Sequence, residues 1–198
     1  YRRKEVFPLR DVVAPLLAAD ADTHHVVMPP AQPFMPSSGG PGPYLEGGDI
    51  ICYKNHLFVG ESDIATNRAG TEWLRDYIEP YGYTVHPMPM KGTVLHLLGT
   101  MVLVREGVLL LFRDELDCEL PAPLRDWDVI ELSEDEARAY ATVGVSLDDK
   151  RYVMPSHLGR VGEELSRRGV EPIEIDYDHV SYWGGCVSCS THAIARDP

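Results

Sequence analysis

Ile50-Ile51-Cys52-Tyr53-Lys54-Asn55-His56-Leu57-Phe58-Val59 reads as two short strands, Ile50 to Tyr53 and His56 to Val59, with Lys54-Asn55 as the turn between them. Downstream, Trp73, Leu74 and Ile78 form one apolar face, which predicts a helix from about Asn67 to Ile78 that Pro80 and Gly82 stop. Tyr83 to Met88 is a further strand. Strand pair, helix and strand make one α/β unit.

The theme returns along the chain. Thr100 to Arg105 and Val108 to Phe112 predict a hairpin across Glu106-Gly107. A strand from Val129 to Leu132 leads into Ser133-Glu134-Asp135-Glu136, the signature of a capping box at a helix start. Val143 to Leu147 and Arg151 to Met154 read as strands around Asp148-Asp149-Lys150, Leu158 to Gly169 as a helix and Val170 to Tyr177 as a strand. The recurrence predicts an α/β fold of similar modules. Upstream, Val12, Val13, Leu16 and Leu17 predict an amphipathic helix over Asp11 to Ala21. Residues 29 to 43 hold six prolines and three glycines and read as a loop, either a lid over a site or a plain surface insertion.

The 198 residues carry 31 Asp and Glu against 18 Lys and Arg, a net charge of −13. That balance disfavours nucleic acid and anionic membrane as partners, because neutralising phosphates takes clustered Lys and Arg. It suits a cationic small substrate, although acidity also serves solubility alone. The longest strongly apolar run, Val108 to Phe112, is too short to span a bilayer. Four cysteines are too few for a disulfide-stapled scaffold, so a reducing cytoplasm is the expected compartment. Tyr1-Arg2-Arg3-Lys4 reads as the interior of a longer protein.

Three places offer chemistry. In Leu45-Glu46-Gly47-Gly48-Asp49, two carboxylates flank glycines that let a ligand approach the backbone, and a carboxylate accepts paired guanidinium donors; the same residues also make an ordinary turn. His96, among leucines in Gly92-Thr93-Val94-Leu95-His96-Leu97-Leu98-Gly99, is either a packed core histidine or an acid–base group. In Trp183-Gly184-Gly185-Cys186-Val187-Ser188-Cys189-Ser190-Thr191-His192, Cys186 and Cys189 form a CxxC. A zinc site lacks two further ligands at suitable spacing, and a redox CxxC normally opens a helix. A nucleophilic Cys exposed on a tight glycine turn is the third reading.

Taken together these motifs resemble the guanidine-modifying superfamily: amidinotransferases, arginine and agmatine deiminases, and dimethylarginine hydrolases. Leu45 to Asp49 is similar to its acidic glycine-rich motif, His96 stands where its catalytic His does, and Gly184 to Thr191 is similar to its nucleophile segment, in the family order. Ala65-Thr66-Asn67-Arg68-Ala69-Gly70-Thr71-Glu72-Trp73-Leu74-Arg75 is similar to the glycine amidinotransferase branch. The resemblance runs from about Tyr1 to the end. It implies a pentein-type α/β-propeller of ββαβ-like modules around a pseudo-fivefold axis, lacking its first module here, so that residues 1–198 are one N-terminally incomplete catalytic domain.

The resemblance also implies the roles. Cys189 would attack the central guanidinium carbon, Glu46 with Asp49 would hold the guanidinium, and His96 would protonate the departing amine, leaving an amidino group on sulfur. Arg113 stands near the position of an Arg that binds the substrate carboxylate, or is an ordinary solvated surface Arg. Cys186 is read as packing and His192 as surface. No cofactor and no metal are implied; the partners are a small guanidine and an amine acceptor, with a homodimer as the assembly to test. The family usually has an Asp two residues after its His, where this chain has Leu98. Dimethylarginine hydrolases also lack it, so a hydrolase of the same fold is the alternative to the amidinotransferase. A noncatalytic guanidine-binding module is a third reading, against which the retention of Glu46, His96 and Cys189 argues.

Overall fold

The computed structural model describes Pro15, Ala19, residues 42–62 and residues 64–191. Nearly all of the helix expected over Asp11 to Ala21, nearly all of the proline-rich loop, and His192 lie outside the described residues.

Among the described residues three three-stranded sheets follow one another, each with the same connectivity. The first contains β1 (Ile50–Tyr53), β2 (His56–Glu61), helix α1 (Arg68–Ile78) and β3 (Thr84–Pro89). β1 pairs antiparallel with β2, and β2 pairs parallel with β3. Tyr53 faces His56 across the Lys54-Asn55 turn, where Lys54 takes φ of 52°. A parallel partner needs a crossover, and α1 supplies it.

The second sheet contains β4 (Met101–Arg105), β5 (Val108–Leu111) and β6 (Asp128–Glu131), with the same antiparallel and parallel pairings. Its crossover is not an α-helix but two short 3-10 turns, Arg113–Glu115 and Ala122–Leu124. Pro121 and Pro123 lack the N–H donors that a continuous helix would use. Helix α2 (Glu134–Arg138) begins with the expected capping box between Ser133 and Glu136. The third sheet contains β7 (Val145–Ser146), β8 (Arg151–Pro155), α3 (Gly159–Arg167) and β9 (Glu171–Ile175). A short helix, α4 (Asp178–Ser181), leads to the C-terminal segment.

The strand expected over Val143 to Leu147 is shorter. Gly144 donates its N–H to the Tyr152 hydroxyl at 3.0 Å, and a side chain at Gly144 would come within 2.2 Å of the Val153 carbonyl. The backbone there is bound to a core tyrosine, and the ladder starts only at Val145.

All four residues of β5 are buried. Successive side chains of a strand point to opposite faces. Val108 and Leu110 pack with Tyr152, Met154 and Leu165 of the third unit, whereas Leu109 and Leu111 pack with Phe58 and Met88 of the first. The central strand reads as an unbroken apolar run because both of its faces are covered. Each fully buried Leu contributes about 1.5–3 kcal/mol of transfer free energy. The units are thereby fastened to one another through β5.

Candidate active site

Glu46 is held from α1. Asn67 caps that helix, its Oδ1 accepting the Gly70 N–H at 3.0 Å and the Tyr44 N–H at 3.1 Å. The Asn67 N–H donates to the Tyr44 carbonyl at 3.2 Å, and the Glu46 N–H donates to Thr66 Oγ1 at 3.0 Å. Gly70 is obligatory here: a Cβ would stand 1.8 Å from the Tyr44 carbonyl oxygen. The Ala65 to Arg75 segment thus forms a clamp on the backbone that carries Glu46.

Gly47–Asp49 is a single 3-10 turn closed by the Asp49 N–H on the Glu46 carbonyl at 3.1 Å. His96 lies over it. Its Nε2 is 2.7 Å from Glu46 Oε2. A carboxylate only accepts, so Nε2–H donates and Nδ1 is left facing the turn. The approach requires glycine, because a Cβ on Gly48 would come within 2.7 Å of Nδ1. Both side chains keep access to solvent, His96 at 21% and Glu46 at 47% exposure.

Asp49 lies beneath this pair rather than in the open. It is wholly buried, and its Oδ1 accepts the Leu97 N–H at 2.9 Å. Burial pushes its carboxyl above the usual carboxylate range; the Thr66 hydroxyl, the Leu97 N–H and the neighbouring His96 oppose that shift, and Glu46 adds to it. His96 precedes a 3-10 turn, Leu97–Gly99, that ends two residues ahead of β4, so it does not lie on the strand itself.

Cys189 stands on another turn, Ser188–Ser190, and is exposed. Gly184 and Gly185 hold φ of 88° and 97°, in the region that favours glycine. A Cβ on Gly185 would lie 3.0 Å from Cys189 Cβ and 3.2 Å from its sulfur. The Ser188 N–H donates to the Val143 carbonyl at 3.0 Å, fixing the turn to the third unit. Cys186 is buried against Val143 and Val187, and burial pushes its thiol up. It packs, as expected.

Arg113 opens the 3-10 turn after β5. Its Nε is 3.9 Å from Glu131 Oε1, its charge opposes the burial-driven rise of the Cys118 thiol, and its Nη1 is buried without a hydrogen-bond partner among the described residues. The fold therefore gathers Glu46, Asp49 and His96 into one cluster, with Cys189 and Arg113 on turns of their own. Gly60 and Glu115 are supports that motif reading misses, and Thr66, although inside the Ala65 to Arg75 motif, is given no role by it. A Cβ on Gly60 would meet Leu97 Cβ at 2.8 Å and Asp49 Oδ1 at 2.9 Å, and Glu115 is 1% exposed. Gly60 directly follows the strand read as His56 to Val59 and lies inside β2, where a glycine signals close approach. Glu115 follows Arg113-Asp114 and looks like part of a solvated charge run.

Among the described residues no three His, Cys, Asp or Glu side chains converge as metal ligands, and no helix is long and apolar enough to cross a membrane.

No protein-family model matches the chain. It is 28% identical over 145 residues to an N(G),N(G)-dimethylarginine dimethylaminohydrolase of Pseudomonas aeruginosa, covering 73% of this chain and 54% of that protein. It is 27% identical over 155 residues to a putative inosamine-phosphate amidinotransferase 2 of Streptomyces griseus, covering 72% of this chain and 44% of the relative. Among solved structures, the inosamine-phosphate amidinotransferase StrB1 of Streptomyces griseus superimposes with a TM-score of 0.70 at 20% identity, over 79% of this chain and 48% of that one. Relatives and structural neighbours include amidinotransferases, dimethylarginine hydrolases and an arginine dihydrolase, and the resemblance to the guanidine-modifying pentein superfamily holds in sequence and in fold. The chain spans about half the length of the curated relatives it matches.

Proposed function

We propose that the protein acts on the central carbon of a guanidino group, as an amidinotransferase that moves an amidino group from arginine or a related guanidine to an amine. The observation that carries this reading is the 2.7 Å contact of His96 with Glu46, an acid–base group beside a carboxylate able to hold a cation. Glu46 binds and orients the guanidinium. The Cys189 thiolate forms a C–S bond to the guanidino carbon, the C–N bond to the departing amine breaks, and that amine takes its proton from His96. A thiouronium is left on Cys189. The acceptor amine gives its proton to His96, forms the new C–N bond and expels the thiolate. Arg113, whose buried Nη1 has no hydrogen-bond partner among the described residues, is assigned the substrate carboxylate. Asp49, expected beside the guanidinium, is assigned to support, since it is buried and bound to backbone.

In the hydrolase of the same chemistry, water replaces the acceptor. Leu98 in place of the Asp two residues after His96, and the likeness to a dimethylaminohydrolase, favour that second reading. The three units are read as modules of a pentein-type α/β-propeller, the chain as one catalytic domain and the cytoplasm as its compartment.

The test uses the full-length protein with L-arginine, with and without glycine and a panel of amines, and separates products by mass. Ornithine formed only with an acceptor, together with an amidinated amine, is the expected result. Citrulline without any acceptor assigns the hydrolase. No turnover of L-arginine or of N-methylated arginines by wild type overturns both.

A further inference from the structure

We infer that Glu115 is a positioning residue for His96; this rests on the function proposed above. Glu115 is buried at 1% exposure, and among the described residues its carboxylate faces backbone N–H groups rather than a cation. Its Oε1 accepts the N–H groups of Gly92 at 2.8 Å, Thr93 at 2.9 Å and Val94 at 3.2 Å. Its Oε2 accepts the Thr93 hydroxyl. The Glu115 carbonyl also accepts the Lys91 N–H at 2.9 Å, and Met90 bridges to Leu116. Three successive N–H groups converging on one point form an anion-binding nest, and here the chain fills it with its own carboxylate. Gly92, at φ of 79°, supplies the left-handed residue that the curl requires.

Residues 91–96 belong to no strand or helix, and Leu95 is half exposed, so neither a ladder nor full apolar burial fixes the approach to His96. Glu115 fixes residues 92–94 on one side of His96, and Asp49 fixes Leu97 on the other. The imidazole thus hangs between two backbone anchors, each gripped by a buried carboxylate. Removing a carboxylate that accepts four donors leaves those donors unpaired, and charge-assisted bonds are about twice as strong as neutral ones. Without the anchor, the 92–95 segment relaxes and the ring loses its register on Glu46.

The test compares wild type with Glu115→Gln, which keeps an acceptor oxygen but loses the charge, and Glu115→Asp, which keeps the charge but draws it back. Glu136→Gln, in the capping box of α2, serves as a control for lost stability. With turnover of the guanidine established for wild type, Glu115→Gln is expected to lower kcat about tenfold with KM within about twofold, Glu115→Asp at least as much, and Glu136→Gln not at all. Amide exchange at residues 92–94 should quicken about tenfold in Glu115→Gln, and the His96 ring nitrogen resonances should move. An unchanged kcat, or a fall matched by Glu136→Gln, overturns the inference. If wild type turns over no guanidine, the functional reading fails separately; unchanged exchange and unchanged His96 resonances then overturn the positioning role, and their change upholds it. Should Glu115→Gln not fold, Thr93→Val, which removes only the hydroxyl donor, is read in the same way with a smaller expected effect.

Discussion

The Leu97 N–H donates to Asp49 Oδ1 at 2.9 Å, and both residues are wholly buried. Through this bond the acidic glycine turn and the histidine turn, 48 residues apart, become one piece of backbone. Gly60 of β2 makes room for it, its α-carbon facing both Leu97 and Asp49. Above the bond, Glu46 and His96 meet at the surface.

Gly48→Ala should separate activity from stability. The added methyl meets the His96 ring at 2.7 Å, and a ring at the end of a side chain can swing away cheaply. It then leaves Glu46. Turnover should fall about a hundredfold, the scale of a misplacement of about 1 Å, with the melting temperature within a few degrees of wild type. Steady-state kinetics beside a thermal melt decide it; full activity in the variant would show that the contact is dispensable.

Gly70→Ala should do the reverse and damage the fold. Its methyl meets the Tyr44 carbonyl carbon and oxygen, at 2.6 and 1.8 Å, and backbone cannot swing away. A loss of about 3 kcal/mol in a urea titration is expected, the upper range for an overpacked site. A loss below about 0.5 kcal/mol would mean that α1 and the Glu46 segment are not clamped together.

Asp49→Asn carries a pH signature. Burial raises the folded Asp49 pKa above the unfolded value of about 3.9, so the folded state binds this proton more tightly. That stabilisation is complete below the unfolded value and is lost as pH rises through the folded one. Asn lacks the titration but keeps an oxygen for the Leu97 N–H. Measured from pH 3 to 8, the stability of Asp49→Asn relative to wild type should therefore rise with pH and then level off. A flat difference would refute the burial argument. A rise in KM without change in kcat would instead return Asp49 to the substrate.

Thiol labelling ranks the cysteines. Iodoacetamide at pH 7.5, read by peptide mass, should modify exposed Cys189 well ahead of Cys186, whose thiol is buried and pushed up. A rate ratio of about a hundred is expected, since the thiolate is the reactive form. Equal, slow labelling of both would argue for a binding module without a nucleophile.

Local chemistry alone predicted most strands and helices. Alternation, a two-residue turn at Lys54-Asn55, a capping box at Ser133 and stops at Pro80 and Gly82 act over a few residues, and their effects survive in any tertiary setting. The motif residues Glu46, His96 and Cys189 were visible for a similar reason: side-chain chemistry and order along the chain are properties of sequence. Where the reading missed, a distant partner had intervened. Val143 to Leu147 reads as a strand until Tyr152 takes the Gly144 N–H. Asp49 reads as an acid that holds the guanidinium beside Glu46 until the packing of Gly60 and Leu97 closes over it. Glu115 belongs to no sequence motif, and only the fold brings three backbone N–H groups from more than 20 positions away onto its carboxylate. Sequence determined which side chains stand as candidates for the proposed chemistry. Tertiary structure alone decided which carboxylate meets the histidine and which two hold it in place, because hydrogen bonds to buried backbone depend on separations in space that no local pattern records.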